Sequence, residues 1–298
     1  MSTETADPRF ADVARWPTLS AVEAMLDGQL AAIAALKGQT GTIAAAAEAA
    51  ATRLRKGGRI VYVGAGTSGR LAVQDGVELV PTYNWPTDRL VFLLAGGTAA
   101  MTRSVEGAED DVDAARTELL AAAVGPDDVL IAVAASGRTP YAVAALALAR
   151  EHGALTIAIA NNPATPLLTQ ADHAIVADTG SEIIAGSTRM KAGTAQKAAL
   201  NILSTAIMLR CGLVYRGLMV NMRASNDKLR HRARQMVATL ANTDETRAAD
   251  ALARADDDLR QAVLIACGLT PHDAADRLAG AGGDLGKALA DAGLRDAE

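Results

Sequence analysis

The spacing of apolar positions changes character along the chain. From Leu19 to Leu36 they recur at helical intervals, at Val22, Met25, Leu26, Leu30 and Ile33. Thr42 to Arg55 is alanine-rich and predicts a second helix, ended by Gly57-Gly58. The first dozen residues are polar and read as a loose arm. Beyond Gly58 the period shortens. Arg59–Val63, Leu90–Leu94, Val129–Val133, Thr156–Ile159 and His173–Val176 are brief runs, apolar almost throughout. Such runs suit strands covered on both faces. Helical stretches lie between them, among them Asp111–Ala123 and Tyr141–His152. Repeated β-α units predict an α/β fold, a doubly wound five-stranded parallel sheet flanked by helices. In such sheets ligands bind beyond the carboxyl ends of the strands.

Two long helices are expected next, Arg189–Arg210 and Leu218–Leu240. Ala241-Asn242-Thr243-Asp244 reads as a boundary. Short helices follow at Glu245–Ala255, Asp258–Ala266, Pro271–Ala279 and Leu285–Ala292, with Thr270 and Asp284 as candidate N-caps. Residues 1–240 are therefore expected to form the α/β domain with its N-terminal helices, and 241–298 a small helical bundle.

Composition narrows the chemistry. The chain has 298 residues, half of them hydrophobic and only 3% aromatic, so Ala, Val, Leu and Ile must build the core. The net charge of -5 argues against a binder of nucleic acid or anionic membrane, which needs a basic face. Cys211 and Cys267 form no CxxC pair, and His152, His173, His231 and His272 are scattered. No metal site is expected, and a reducing compartment fits. Ala198–Leu209 is too short to span a bilayer and is interrupted by Asn201 and Ser204. No basic, then apolar, leader pattern opens the sequence, so a cytoplasmic protein is expected.

Candidate chemistry sits in the turns. Gly64-Ala65-Gly66-Thr67-Ser68-Gly69-Arg70 follows the first strand and contains GxGxxG. A dinucleotide site needs an acid at the end of the second strand, and Leu94-Ala95-Gly96-Gly97-Thr98 has none. Thr67 and Ser68 instead suit a compact phosphate at a helix start. Phosphate or phosphosugar is favoured here, with a dinucleotide or a plain tight turn still open. The third strand ends in the same style, Ala134-Ala135-Ser136-Gly137-Arg138-Thr139-Pro140, where Ser136 or Thr139 could also serve as an N-cap. A third segment, Gly186-Ser187-Thr188-Arg189-Met190-Lys191, precedes a long helix and offers Ser187, Arg189 and Lys191 to an anion. Two acidic stretches complete the set. Glu78 stands among apolar neighbours in Asp75-Gly76-Val77-Glu78-Leu79-Val80-Pro81-Thr82, which would raise its pKa in a dry site. Val105-Glu106-Gly107-Ala108-Glu109-Asp110-Asp111 is an acidic cluster from which spacing alone does not single out Glu109.

Taken in order, GAGTSGRL, Glu-x-x-Pro-Thr, VEGAEDD, AASGRTPY, GSTRMKAGTAQK and Asn226-Asp227-Lys228-Leu229 resemble the N-acetylmuramic acid 6-phosphate etherases of the sugar isomerase (SIS) superfamily. The resemblance runs strongly from Leu19 to Arg232. It implies cofactor-free removal of D-lactate from the phosphosugar, by elimination and then hydration. It also implies roles: Glu78 as general acid, Glu109 as general base, and Gly66, Thr67, Ser68, Gly69, Ser136, Gly137, Arg138, Thr139, Ser187, Arg189 and Lys191 around the substrate. This chain departs from the family's Asp-Ala-Ser-Glu-Cys-Pro-Pro-Thr pattern around Glu78. A homodimer is expected, because the long apolar helices exceed what one sheet needs for cover. A phosphosugar-sensing regulator, an aldose–ketose isomerase on the same fold, and an NAD-dependent oxidoreductase remain open alternatives.

Overall fold

The computed structural model describes residues 3–222 and 227–294. Asn226, and part of the helix expected over Leu218–Leu240, lie outside the described residues. The chain forms two compact units, Met1–Val77 with Thr87–Ala206, and Glu78–Pro86 with Ile207–Glu298.

The first unit is built on the expected sheet. Strands β1 (Ile60–Gly64), β2 (Leu90–Leu94), β3 (Val129–Ala134), β4 (Leu155–Ala160) and β5 (His173–Val176) lie in the order β2-β1-β3-β4-β5, all parallel. The register sets Ile60 opposite Leu90 and Val129, and Gly64 opposite Leu94 and Val133. Every residue of β1, β3 and β4 is buried, which is why these strands read as apolar almost throughout.

Helices α1 (Thr18–Ala34) and α2 (Thr40–Leu54) precede the sheet. Ile43, Ala46, Ala47, Ala50, Ala51 and Leu54 make the buried stripe of α2, at helical spacing. Helices α4 (Val112–Ala121) and α5 (Pro140–Glu151) bury Ala115, Leu119, Tyr141, Ala142, Ala145, Leu146 and Ala149 in one core with Val61, Val63, Leu130 and Ala132. Alanine supplies much of that core. Each fully buried Leu or Ile contributes about 1.5–3 kcal/mol relative to exposure. A short α6 (Pro166–Gln170) and the long α7 (Lys191–Arg210) complete the helical cover, with α3 (Gly66–Tyr83) following β1.

Polar groups fix the sheet's margins. At the amino end, Asp128 accepts from the Arg59 backbone N–H at 2.9 Å, from Arg59 Nη2 at 2.7 Å and from the Gly125 N–H at 3.0 Å. At the β5 edge, the Val176 N–H donates to Gln39 Oε1 at 3.0 Å. The expected loose arm is in fact docked. Thr3 is fully buried, and Asp7 caps a single 3-10 turn, Pro8–Phe10, while binding Arg9.

In the second unit a two-stranded hairpin, β6 (Val214–Tyr215) and β7 (Leu218–Met219), replaces the first part of the helix expected from Leu218. Arg216 (φ +48°) and Gly217 (φ +74°) both take the left-handed conformation, as a two-residue hairpin turn requires. The apolar run Leu218–Val220 fits either period, so spacing alone misassigned it. Helix α8 covers Asp227–Leu240. The short helices α9 (Glu245–Arg254), α10 (Leu259–Ala266), α11 (Pro271–Gly280) and α12 (Leu285–Asp291) follow as expected. Asp244, Asp258, Thr270 and Asp284 cap them through side-chain oxygens. Met236, Val237, Leu252, Val263, Leu264 and Leu285 belong to their shared core.

Candidate active site

The sheet order places β2 on one side of β1 and β3 on the other, so the chain changes direction between β1 and β3. That is where an open α/β sheet leaves a crevice at its carboxyl edge. The two hydroxyl-rich turns leave from these neighbouring strands, beyond Gly64 and its register partner Val133.

The first turn is the opening of α3 itself, which begins at Gly66 with φ +52°. Strand and helix meet in glycine contact. A Cβ on Gly64 would lie 2.9 Å from the Gly69 N and Cα. One on Gly69 would lie 2.7 Å from the Gly64 carbonyl oxygen and 2.4 Å from Leu94 Cδ1. Ser68 is buried and Thr67 half-buried. Thr67 Cγ2 is 3.5 Å from where a Gly193 Cβ would stand, so the starts of α3 and α7 touch.

In the second turn, Ser136 Oγ accepts from the Arg138 N–H at 3.1 Å. Gly137 (φ +64°) packs on Thr165, whose Oγ1 would be 2.2 Å from an added Cβ. Arg138 is exposed. Thr139 occupies the N-cap position of α5, but its side chain makes no capping hydrogen bond, contrary to one sequence expectation.

The third segment differs from expectation. Helix α7 starts at Lys191, not Arg189. Glu182, fully buried, accepts from the Lys191 N–H at 3.0 Å and the Ala192 N–H at 2.9 Å. The helix start thus holds a carboxylate of its own chain. Lys191 Nζ donates to the Ser181 carbonyl at 2.7 Å, and the residue lines a pocket of about 370 Å³ with Arg9, Phe10, Met25 and Glu182. Ser187 is half-buried and Arg189 exposed.

Glu109 lies in a 3-10 turn, Ala108–Asp110, entered through Gly107 at φ +73°. Its side chain is exposed. Asp111 caps α4 directly after it, accepting from the Ala114 N–H at 2.8 Å. The Tyr141 hydroxyl donates to Glu118 Oε2 at 2.5 Å and pins α4 to α5. Burial and this carboxylate push the Tyr141 phenol far up. The Glu109 turn packs against α5, the helix that the Ser136–Thr139 turn opens.

Glu78 lies on the later part of α3, in the second compact unit, and is exposed. Its sequence neighbour Leu79 is buried, because adjacent helical residues face different ways. Apolar neighbours in the sequence therefore do not enclose this carboxyl within the chain.

Several polar residues escaped the sequence reading. Asp75, a helical turn before Glu78, is buried and accepts from Tyr62 Oη (2.8 Å), Asn201 Nδ2 (2.6 Å) and Ser204 Oγ (3.1 Å). Burial pushes its carboxyl up, although the three donors pull the other way. Asn161 and Asn162 directly follow β4, at the carboxyl edge where ligands bind, and that position was the available signal. Glu182 gave none, since an acid in a loop normally reads as solvated. Among the described residues, no group of three or more His, Cys, Asp or Glu side chains is placed to hold a metal ion.

Comparison with known proteins agrees with this architecture. Residues 42–150 match the family model described as glucokinase regulatory protein N-terminal SIS domain, and residues 105–206 match the SIS domain. The N-acetylmuramic acid 6-phosphate etherase of Deinococcus radiodurans is 49% identical over 288 residues, 96% of this chain and 94% of that one. The etherase of Streptomyces coelicolor is 44% identical over 292 residues, 97% and 94% of the two chains. That of Symbiobacterium thermophilum is 53% identical over 222 residues, 74% of each. With its parallel sheet, its paired hydroxyl-rich turns and this likeness along nearly its whole length, the chain belongs to the N-acetylmuramic acid 6-phosphate etherase family.

Proposed function

We propose that the protein cleaves the D-lactyl ether of N-acetylmuramic acid 6-phosphate, giving N-acetylglucosamine 6-phosphate and D-lactate. The observation that carries this reading is the pair of turns, Gly66–Gly69 and Ser136–Thr139, leaving adjacent strands in a chain of the etherase family. Thr67, Ser68, Ser136 and Thr139, with the turn amides, are assigned to the phosphate. Ser187 and Arg189 are assigned to the other anionic end of the substrate, the lactyl carboxylate. Lys191 has its ammonium engaged by the Ser181 carbonyl and its backbone N–H by Glu182, so it serves there by fixing the start of α7 next to Ser187 and Arg189.

The chemistry follows from the ring-opened sugar, whose aldehyde acidifies the proton on C2. Glu109 takes that proton. Glu78 protonates the ether oxygen on C3 as the C–O bond breaks and lactate leaves. Water then adds to the C2–C3 double bond, with the same groups returning protons in reverse roles.

Replacing Glu109 by Gln is expected to abolish both C2 hydrogen exchange with solvent and lactate release. Replacing Glu78 by Gln is expected to stop lactate release while leaving some C2 exchange. In heavy water the product should carry deuterium at C2, and in oxygen-labelled water the label at O3. Label in the lactate hydroxyl would mean displacement at the lactyl carbon and would overturn the roles. Binding of the phosphosugar without any turnover would favour a regulator instead.

The wider setting is recycling of cell-wall amino sugars in the cytoplasm, by a homodimer. Support for the dimer comes from α1, where Leu19, Val22, Leu26, Leu30 and Ile33 form a stripe at intervals of three and four residues. They are 69%, 50%, 58%, 60% and 50% exposed. The helical stretch Thr18–Leu54 is long and apolar enough by composition to cross a membrane. Yet α2 spends its apolar face on the sheet, and the 3-10 turn Ala35–Gln39 separates it from α1. A second copy of this chain therefore suits the α1 stripe better than lipid does.

A further inference from the structure

The two asparagines after β4 do different work. Asn161 is fully buried and braces the end of the sheet. Its N–H donates to the Ala135 carbonyl (3.0 Å), its Nδ2 to the Ala177 carbonyl (2.8 Å), and its Oδ1 accepts from Gln196 Nε2 (2.9 Å). Asn162 instead reaches a residue far away in sequence. Its Nδ2 donates to the Ala135 carbonyl and to Thr3 Oγ1, both at 3.0 Å, and its Oδ1 accepts from the Thr3 N–H at 3.1 Å. The Thr3 carbonyl in turn accepts from the Gly186 N–H at 3.2 Å, and the Thr3 hydroxyl proton goes to Glu4 Oε1 at 3.3 Å.

A continuous path of hydrogen bonds thus runs from Ala135 through Asn162 and Thr3 to Gly186, all within one compact unit. Each end adjoins a residue assigned to the substrate: Ala135 precedes Ser136, and Gly186 precedes Ser187. The segment from Asp178 to Met190 has no helix or strand of its own. Glu182 fixes its junction with α7, and Thr3 fixes it at Gly186, which has φ +75°. Thr3 is fully buried although the residues after it, Glu4, Thr5 and Ala6, are exposed. Its position is therefore held by polar pairing with Asn162 and Gly186.

We propose that Thr3 and Asn162 are positioning residues of the phosphosugar site, a clasp that holds the Gly186–Arg189 segment in register with the Ser136–Thr139 turn. The identity of the ligand rests on the etherase reading above; the clasp itself does not. Neither side chain has to touch substrate. With the clasp closed, the segment is ordered before the ligand arrives. With it open, the ligand must supply that ordering on binding, and affinity falls while the chemical step is untouched.

The test uses the full chain carrying Thr3→Val, Thr3→Ser, Asn162→Ala, or Thr3→Val with Asn162→Ala. In the ligand-free protein, hydrogen exchange at the Gly186 amide should quicken in Thr3→Val and Asn162→Ala and return toward wild type in Thr3→Ser. The KM for N-acetylmuramic acid 6-phosphate should rise roughly tenfold, as for one lost buried hydrogen bond, with kcat within about twofold. The double variant should be no worse than Asn162→Ala, because both act through one path. Unchanged Gly186 exchange overturns the clasp. So does a fall in kcat at constant KM, or losses that multiply in the double variant. If the wild-type protein releases no lactate, the etherase reading fails, and the clasp is judged on Gly186 exchange, which needs no substrate.

Discussion

Asp128 and Asp75 are both buried acids, yet their surroundings move them in opposite directions. Burial raises each, but at Asp128 the Arg59 guanidinium and two backbone N–H groups outweigh it and hold the carboxyl below the usual range. Asp75 has only neutral donors in contact, and burial prevails. The sign of the linkage follows. A carboxyl whose folded pKa is depressed contributes stability that is fully present above its unfolded value, about 3.9, and is lost as pH falls through the folded value. Asp128→Asn is therefore expected to cost about 1–3 kcal/mol in urea unfolding at pH 7. The gap to wild type should shrink below about pH 4. A gap that stays constant down to pH 2 would show that the charge of Asp128 is not what stabilises. Neither residue was legible in the sequence as a special acid. What distinguishes them is the partner brought in from far along the chain, and no local pattern records that.

At the scale of elements, the strands were legible because burial on both faces leaves continuous apolar runs, and the short capped helices because their Asp and Thr caps are local chemistry. What failed was equally physical. The run Leu218–Val220 satisfies two periods, and the left-handed pair Arg216-Gly217 decided for a hairpin. The start of α7 moved to Lys191 because Glu182 caps it from a loop nine residues upstream of Lys191. Of the candidate site, the two turns could be read because each directly follows an apolar strand run, whereas the adjacency of their strands comes from the sheet order. The burial around Glu78 could not, because it depends on which way a helix faces. The glycine joint between β1 and α3 gives the sharpest element-scale test. In Gly69→Ala the added methyl meets the Gly64 carbonyl oxygen at 2.7 Å, so strand and helix backbone must shift apart. The expected loss is about 1–3 kcal/mol of stability, together with weakened binding of N-acetylglucosamine 6-phosphate by calorimetry. Wild-type stability and affinity in Gly69→Ala would show that the joint tolerates separation.

For the whole molecule, assembly turns on α1. Its exposed stripe is too regular to be scattered surface apolarity, and an isologous pairing would bury it. Leu26→Glu with Leu30→Glu should convert a dimer to a monomer in light scattering at micromolar concentration while leaving the far-ultraviolet circular dichroism intact. A wild-type protein that is already monomeric would reject the pairing. A second feature that bears on assembly is Gln39, at the end of the 3-10 turn that follows α1. Its amide oxygen accepts from the Val176 N–H and so occupies a donor on the outermost strand that another backbone would otherwise take. Gln39 thus acts as a terminator: on the β5 side the sheet stops at its own last strand, and this flank is closed to extension by a further strand at that point, whether from this chain or from a neighbour.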